Sequence, residues 1–564
     1  MRRSPGPIRS AWPVLLCLYV FAVAVNTVGI GWGLPGQGRS LLPAVPSEAS
    51  QVADRSWRTI RDPGRNLDLG PPDPDQAETA AKTLRRLYLY TADPDEQVSV
   101  MAVARLNPSA GRWDPGIVHY GGLFVYALAA AFKLASMIGL VALRSDPSFY
   151  LAHPEAMARI YLVGRVAVVV VGSAAIPVVW LLARSFYAPA TAVCAAVAAA
   201  LTPAWIAWSH VLKPWAFGAP FALAALAVGR HLMDSSRPSR DAIWAGIAAG
   251  LAASTTVIYA PYLLAPCIGI ALRSGDPRRR RLAWVALAAG SAALIAVALQ
   301  SYWLFAPERT IAAWRGASGW FTPEYRPRTL AAFAWGALGP ALGLPLVIAG
   351  GIEGARQGWH RPDALPVVVP IFLVFCVIAF KSGSVAGDGL QARPVLPGVL
   401  VLAMLGIGGL AWAGRALPAP VRFLPALLVI PSLLVAGGTI RNFVAASGPE
   451  GTRQRAGAWL NALPVGTSIG VLAPLAPFRS PFFQFDRYRL VIDPQPERAE
   501  PGLDPDYFLV AERSELPTAP GFLARYREMR RFEPPAFPLG QSARAVYPFA
   551  DPPVIVYARR GGHE

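Results

Sequence analysis

Charge is missing from this chain in long blocks, and those blocks constrain the fold more than any motif does. From Ala11 to Trp32 there is no charged residue, and comparable apolar runs recur as far as Ile440. A run of about 20 apolar residues, wound as a helix, spans the hydrocarbon of a bilayer. A helix also satisfies its own backbone N–H and C=O groups, which lipid requires. Across 564 residues, 54% are hydrophobic and only 15% are charged, against about 25% charged in ordinary soluble domains. The chain therefore reads as a polytopic membrane protein of mainly α class. Its first apolar run is long for the h-region of a signal peptide, so it is expected to remain as an uncleaved anchor.

The net charge of +18 might invite a nucleic-acid reading. Much of that charge, however, sits in short loops between apolar runs, where basic residues fix membrane orientation. Nucleic acid is not an expected partner. The four cysteines, Cys17, Cys194, Cys267 and Cys376, all lie inside apolar runs. They show neither metal-ligand spacing nor a place for a disulfide in a soluble region.

Basic flanks also assign sides. Arg2 and Arg3 put the N-terminus in the cytoplasm, so the first helix ends outside near Trp32. The apolar stretch from Gly121 to Leu143 then decides the parity of everything after it. If it lies at the outer interface without crossing, spans at 161–183, 188–209, 215–230, 242–255, 257–272, 282–304, 330–352, 365–380, 395–413 and 423–440 leave the arginine loops inside. If it crosses, all of those loops move outside, including the Arg278–Arg281 cluster. The positive-inside rule and Lys133, in the middle of the stretch, favour an interfacial or re-entrant helix. The expectation is a bundle of about 11 spanning helices in the inner membrane. Its divisions are a first transmembrane helix at 1–33, a large periplasmic loop at 34–160, the remaining bundle at 161–440 and a small periplasmic α/β domain at 441–564. In the last, TSIGVLAP, RYRLVID, DYFLVAE and PVIVYAR read as strands and GFLARYREMRRF as a helix.

With that threading, the outward loops gather polar residues on one surface. The first loop offers Asp93, Asp95, Glu96, Asn107, Asp114, His119 and Tyr120, the turn SHVLKPW offers His210 and Lys213, and a later loop offers Lys381, Asp388 and Arg393. An acidic pair at the lip of an apolar bundle can take a proton from a hydroxyl or ligate a divalent cation. Basic residues at the same depth can hold a phosphate. Taken alone, Asp95-Glu96 in a solvated loop is usually just solvated charge. Arg165 could equally snorkel to the interface, His210 could cap its helix, and Arg393 could mark the membrane edge.

The order of these features carries more information. One helix, a long outer loop with PDEQ, then RLNP, HYGGLFVYALAAAFKL, YLVGRVAVVVVGS, LTPAWIAWSHVLKPW, AGLAAST and ARPVLPG follow one another. This plan resembles the GT-C glycosyltransferases, in particular the protein O-mannosyltransferase and lipid A aminoarabinose transferase branch. The tail TRQRAGAWLNALPVGTSIG with DPDYFLVAE is similar to the outer domain of bacterial members. The resemblance implies an inverting transfer of sugar from a polyprenyl-phosphate donor to a protein, lipid or glycan acceptor at the periplasmic face. It puts the catalytic acid on Asp95 with Glu96 beside it, and substrate contacts on Arg165, His210 and Lys213; Arg393, His119 and Tyr120, from the same outward loops, are further candidates for substrate contact. A divalent cation near Glu96 is the one cofactor this reading allows. The chain departs from the family at Trp215, where relatives carry a second acid, and at Thr256 and Val257, where they carry a lysine. A catalytically silent envelope scaffold and a transporter or flippase of a lipid-linked substrate are the competing readings. Against transport, the spans are nearly free of charge.

Overall fold

The computed structural model describes residues 11–45, 50, 51, 54, 80–305, 307–318, 322–493, 504–511 and 520–561. Arg2 and Arg3, the expected cytoplasmic markers, lie outside the described residues. The chain is mainly helical, and proline sets many of the starts: Pro147, Pro154, Pro189, Pro203, Pro214 and Pro238 each open a helix. Proline suits that position because its missing N–H has no intrahelical partner there and its φ is already helical.

The site is built by α1 (Trp12–Thr27), α2 (Ala80–Leu89), α3 (Glu96–Arg105), α4 (Gly122–Met137), α5 (Pro154–Ser173), α6 (Pro189–Ala200), α7 (Pro203–Ser209), α8 (Pro214–His231), α9 (Ile430–Ala446) and α10 (Gly540–Val546). Other helices are given by their residues. By length and composition, five segments among the described residues can each cross a membrane: Pro154–Arg184, Arg278–Leu299, Pro362–Val385, Gly389–Ala416 and Ala419–Ala446. Two bent pairs, α6 with α7 at 52° and Pro327–Leu342 with Leu344–His360 at 114°, bring the number to seven if each pair is one span. Helices also fall at the other expected positions, as α1, α8, Pro238–Ala253 and Val257–Ala271, but these are shorter or less apolar.

Small residues let the helices approach closely. In Pro238–Ala253, Gly246 and Gly250 lie against Ala288 and Ala292 of the neighbouring Arg278–Leu299 helix, where a Cβ on either glycine would collide with their carbonyl oxygens. Such spacing of small residues is the usual way helices pack where no water drives them together.

Beyond α9 the chain forms a five-stranded sheet of order β2-β1-β3-β5-β4. Its strands are β1 (Ser468–Val471), β2 (Arg489–Ile492), β3 (Tyr507–Val510), β4 (Tyr526–Phe532) and β5 (Val554–Arg559). β2, β1 and β3 run parallel, while β5 is antiparallel to both β3 and β4. Four strands fall where the sequence predicts them. The fifth corrects the expected helix in GFLARYREMRRF: only Pro520–Arg525 is helical, and Tyr526–Phe532 is an edge strand. Its good helix formers misled the reading, because Arg527–Arg531 are exposed side chains on a strand edge. Charged residues at an edge also discourage pairing with another chain. α10 packs on α9, with Ala543 and Phe537 against Gly438, so the sheet region is seated on the helical bundle by one continuous apolar core.

Candidate active site

The loop Asp93–Glu96 is shaped by Asp93. Its Oδ1 accepts the backbone N–H of Asp95 at 2.8 Å and of Glu96 at 3.0 Å, the local turn that aspartate forms readily. Two of the orphan donors at the start of α3 are thereby satisfied. Asp95 occupies the N-cap position but does no capping with its side chain. The loop is held against the end of the first helical region at Gly33, whose carbonyl accepts the Ala92 N–H at 2.8 Å. Gly33 has φ 56°, and a Cβ there would collide with the Ala92 Cβ, so both its conformation and its surroundings require glycine.

Glu96 and Arg165 form a buried bidentate pair. Arg165 Nε donates to Oε1 at 2.8 Å and an Nη to Oε2 at 2.7 Å, with both side chains fully buried. Arg165 also donates to the carbonyls of Ile30 and Trp32 at 2.8 and 2.7 Å and lies 4.8 Å from the Trp32 ring centroid. Its planar fork suits this role as a lysine would not. Glu96 Oε1 further accepts the Leu212 N–H at 2.6 Å, while Ser99, one turn on, donates its hydroxyl to the Leu212 carbonyl at 2.9 Å. One face of α3 thus grips both backbone groups of Leu212 and fixes the turn that delivers Lys213.

Lys213 then meets the acids. Its Nζ lies 2.7 Å from Asp95 Oδ2 and 3.3 Å from Asp93 Oδ1, and Arg393 approaches Asp95 at 3.9 Å. Both cations flank the Trp208 ring, at 5.5 and 5.7 Å from its centroid. The three acids differ in access: the side chains of Asp93 and Glu96 are 0% exposed and that of Asp95 is 43% exposed. Burial by surrounding protein would push the Asp95 carboxyl up. The Lys213 ammonium and the Arg393 guanidinium outweigh it and hold the carboxyl down at about 2. For Asp93 complete burial wins, and its carboxyl is raised despite Lys213.

The last donor to this cluster comes from the C-terminal region. The Tyr547 hydroxyl, just after α10, donates to Asp93 Oδ2. Its ring is packed edge-on against Trp32 and Trp208 and beside Phe443. The sequence gives no sign of this pairing, since the two residues are 454 positions apart. Asp93 stands in the loop sequence beside Asp95, but its capping role is set by the turn it closes and by Tyr547.

The other expected residues lie as follows. His210 is fully buried, its ring nitrogens 2.7 and 2.8 Å from the carbonyls of Ile206 and Val28, and it stacks on Phe443 at 4.4 Å. It ties α7 to the end of α1. His119 and Tyr120 sit just before α4 in T-shaped contact at 4.5 Å, and His119 contributes to the field at Asp95. Trp215, at the position where the resemblance implies an acid, is buried in α8 and its carbonyl accepts the Tyr259 hydroxyl at 2.9 Å.

A cation near Glu96 does not fit these residues. Both Glu96 oxygens are engaged by Arg165, one of them also by Leu212, and positive groups already occupy the neighbourhood. Among the described residues no cluster of three or more His, Cys, Asp and Glu side chains is arranged to hold a metal ion.

The crystal structure of ArnT from Cupriavidus metallidurans bound to undecaprenyl phosphate aligns at a TM-score of 0.44 and 14% identity, covering 98% of this chain and 100% of that one. AglB, the oligosaccharyltransferase of Archaeoglobus fulgidus, in complex with an inhibitory peptide and a dolichol-phosphate, aligns at a TM-score of 0.40 and 14% identity. That match covers 82% of this chain and 62% of the archaeal one, so this chain spans less than two thirds of that enzyme's length. No curated protein matches by sequence. Residues 159–303 match the family model of the dolichyl-phosphate-mannose-protein mannosyltransferases. The resemblance to GT-C membrane glycosyltransferases read from the sequence is therefore matched by a family model, over the stretch that carries Arg165, His210, Lys213 and Trp215.

Proposed function

We propose that this chain is an integral-membrane glycosyltransferase that moves a sugar from a polyprenyl-phosphate donor to an acceptor hydroxyl, with Asp95 as the base. The observation that carries the reading is the inequality of the three acids. Asp93 and Glu96 are consumed by buried structural bonds, and Asp95 alone keeps an accessible carboxylate beside two cations. In the reaction the acceptor oxygen attacks the anomeric carbon as the carbon–phosphate oxygen bond breaks on the opposite face. Asp95 takes the hydroxyl proton, and the configuration inverts. The polyprenyl phosphate leaves with its charge met by Lys213 and Arg393, the electrostatic contribution that usually dominates such transfers.

A carboxyl held near 2 is a weak base, and the same two cations supply the remedy. A donor phosphate that draws Lys213 and Arg393 to itself releases Asp95 from them, and its proton affinity rises toward the ordinary carboxylate range as the substrate binds. Asp93, within 3.3 Å of Lys213, helps to hold that ammonium beside Asp95. In the membrane, the 11 expected spans with the N-terminus cytoplasmic put this site and the sheet region on the periplasmic side.

Asp95→Asn tests the assignment. Loss of a positioned base costs about 10²–10⁴-fold in rate, so the variant, correctly inserted and still binding polyprenyl phosphate, should transfer sugar at that reduced level. Normal transfer by this variant would remove Asp95 from the mechanism. The silent-scaffold reading predicts instead that the unaltered protein binds polyprenyl phosphate and transfers nothing.

A further inference from the structure

α3 has two faces in use. Glu96 and Ser99 face Leu212 and Arg165. Gln97, Val100, Met101 and Ala104 recur at i, i+3, i+4 and i+7, the spacing of a single helical stripe, and they line a separate cavity of about 350 Å³. Phe132 of α4 and Met157 and Ile160 of α5 complete its apolar wall. Sites for small ligands occupy about 300–1,000 Å³, so the space is of ligand size. Asp95 and Lys213 do not line it.

The polar part of the lining has one sign. Among the described residues it includes Arg85 and Arg144 and no carboxylate. The Tyr90 and Tyr161 hydroxyls belong to the same lining, are buried, and meet no hydrogen-bond partner among the described residues. Buried polar groups are normally paired, so these two donors call for an acceptor from elsewhere. Next to the lining residues Leu143 and Arg144, the end of α4 exposes Leu134, Met137, Ile138 and Leu140. Large exposed apolar side chains next in the chain to two lining residues suit a ligand that arrives from lipid.

We propose that this cavity binds a straight-chain amphiphile with an anionic head, its alkyl chain along Met101, Ala104, Phe132 and Ile160 and its head met by guanidinium groups. The occupant is distinct from the sugar donor, because the cavity uses a different face of α3 from the one that holds Leu212 and Lys213. The proposal rests on the membrane setting but not on sugar transfer.

Photolabelling of the purified full-length protein in neutral detergent, with a diazirine-bearing palmitate as the probe, tests it directly. Adducts should map to 97–104 and 157–161. Met101→Trp and Ala104→Trp, each filling the cavity, should reduce labelling about tenfold or more, equivalent to about 1.4 kcal/mol. Thermal unfolding identifies which of the two is folded. On the unaltered protein, palmitate and hexadecyl phosphate should compete, and their relative potency tells a carboxylate head from a phosphate head. Hexadecanol should compete about tenfold less well, and Arg144→Gln should narrow that gap. Labelling elsewhere, labelling unchanged in the folded filled variants, hexadecanol equal to palmitate, or a polyprenyl phosphate that competes better than either straight chain would each overturn the proposal. No arm depends on sugar transfer, so the result stands apart from the activity assay.

Discussion

Replacing Glu96 with glutamine leaves the Arg165 guanidinium buried without its counter-charge. Both side chains are fully buried and joined by two short hydrogen bonds. Removing one partner of such a pair costs about 3–5 kcal/mol. Arg165 keeps the Ile30 and Trp32 carbonyls and the Trp32 ring, which puts the expected loss near the lower end, about 3 kcal/mol or roughly 150-fold in the folding equilibrium. Arg165→Met should cost less at acid pH than at neutral pH, because the stranded carboxyl can take a proton. The double variant Glu96→Gln/Arg165→Met should then be more stable than Glu96→Gln alone. Neither charge remains buried in it, and the introduced amide oxygen can still accept the Leu212 N–H. Unfolding in detergent micelles, followed by tryptophan fluorescence, measures the whole cycle. Strictly additive single losses would mean no coupling between the two side chains, and an unimpaired Glu96→Gln would refute the buried pair outright.

Lys213→Met removes the main charge that holds Asp95 low in the free enzyme, so the acid limb of the kcat/KM pH profile, which reports the free enzyme, should move up by about 1–3 units. An unmoved limb would show that Lys213 does not set the proton affinity of Asp95. The same depressed carboxyl contributes stability above its unfolded value of about 3.9 and loses it as pH falls toward about 2. Acid titration of unfolding should show that loss in the unaltered protein and less of it in Lys213→Met. Tyr547→Phe deletes a donor to a buried carboxylate, a loss of about 1.5–3 kcal/mol. It should lower kcat with the donor KM nearly unchanged, since Tyr547 touches Asp93 and no expected substrate contact. Wild-type stability and wild-type kcat together would count against this role.

What the sequence revealed was local or periodic. The apolar runs fixed the helices, and the strings PDEQ, YLVGR and SHVLKPW picked out Asp95, Glu96, Arg165, His210 and Lys213, which lie together around the Leu212 turn. Their division of labour was not legible. Nothing in the order Asp93, Asp95, Glu96 says that the first shapes the turn, the second stays accessible and the third is buried against Arg165. That depends on which carboxylate the fold surrounds, a property of contacts from 69 to 454 positions apart. Tyr526–Phe532 failed for a related reason: a strand at a sheet edge buries only its two ends, so its composition resembles that of a solvated helix.

The bond from Tyr547 to Asp93 also has a consequence for the order of assembly. Chains emerge from the ribosome N-terminus first, at about 5–20 residues per second. The last apolar helix ends at Ala446, so Tyr547 follows it by on the order of 5–20 s at those rates. Through that interval the helices can insert while Asp93 still lacks one of its donors. A chain cut short anywhere between the last apolar helix and Tyr547 would pass every test of membrane insertion and still carry an unfinished acid cluster.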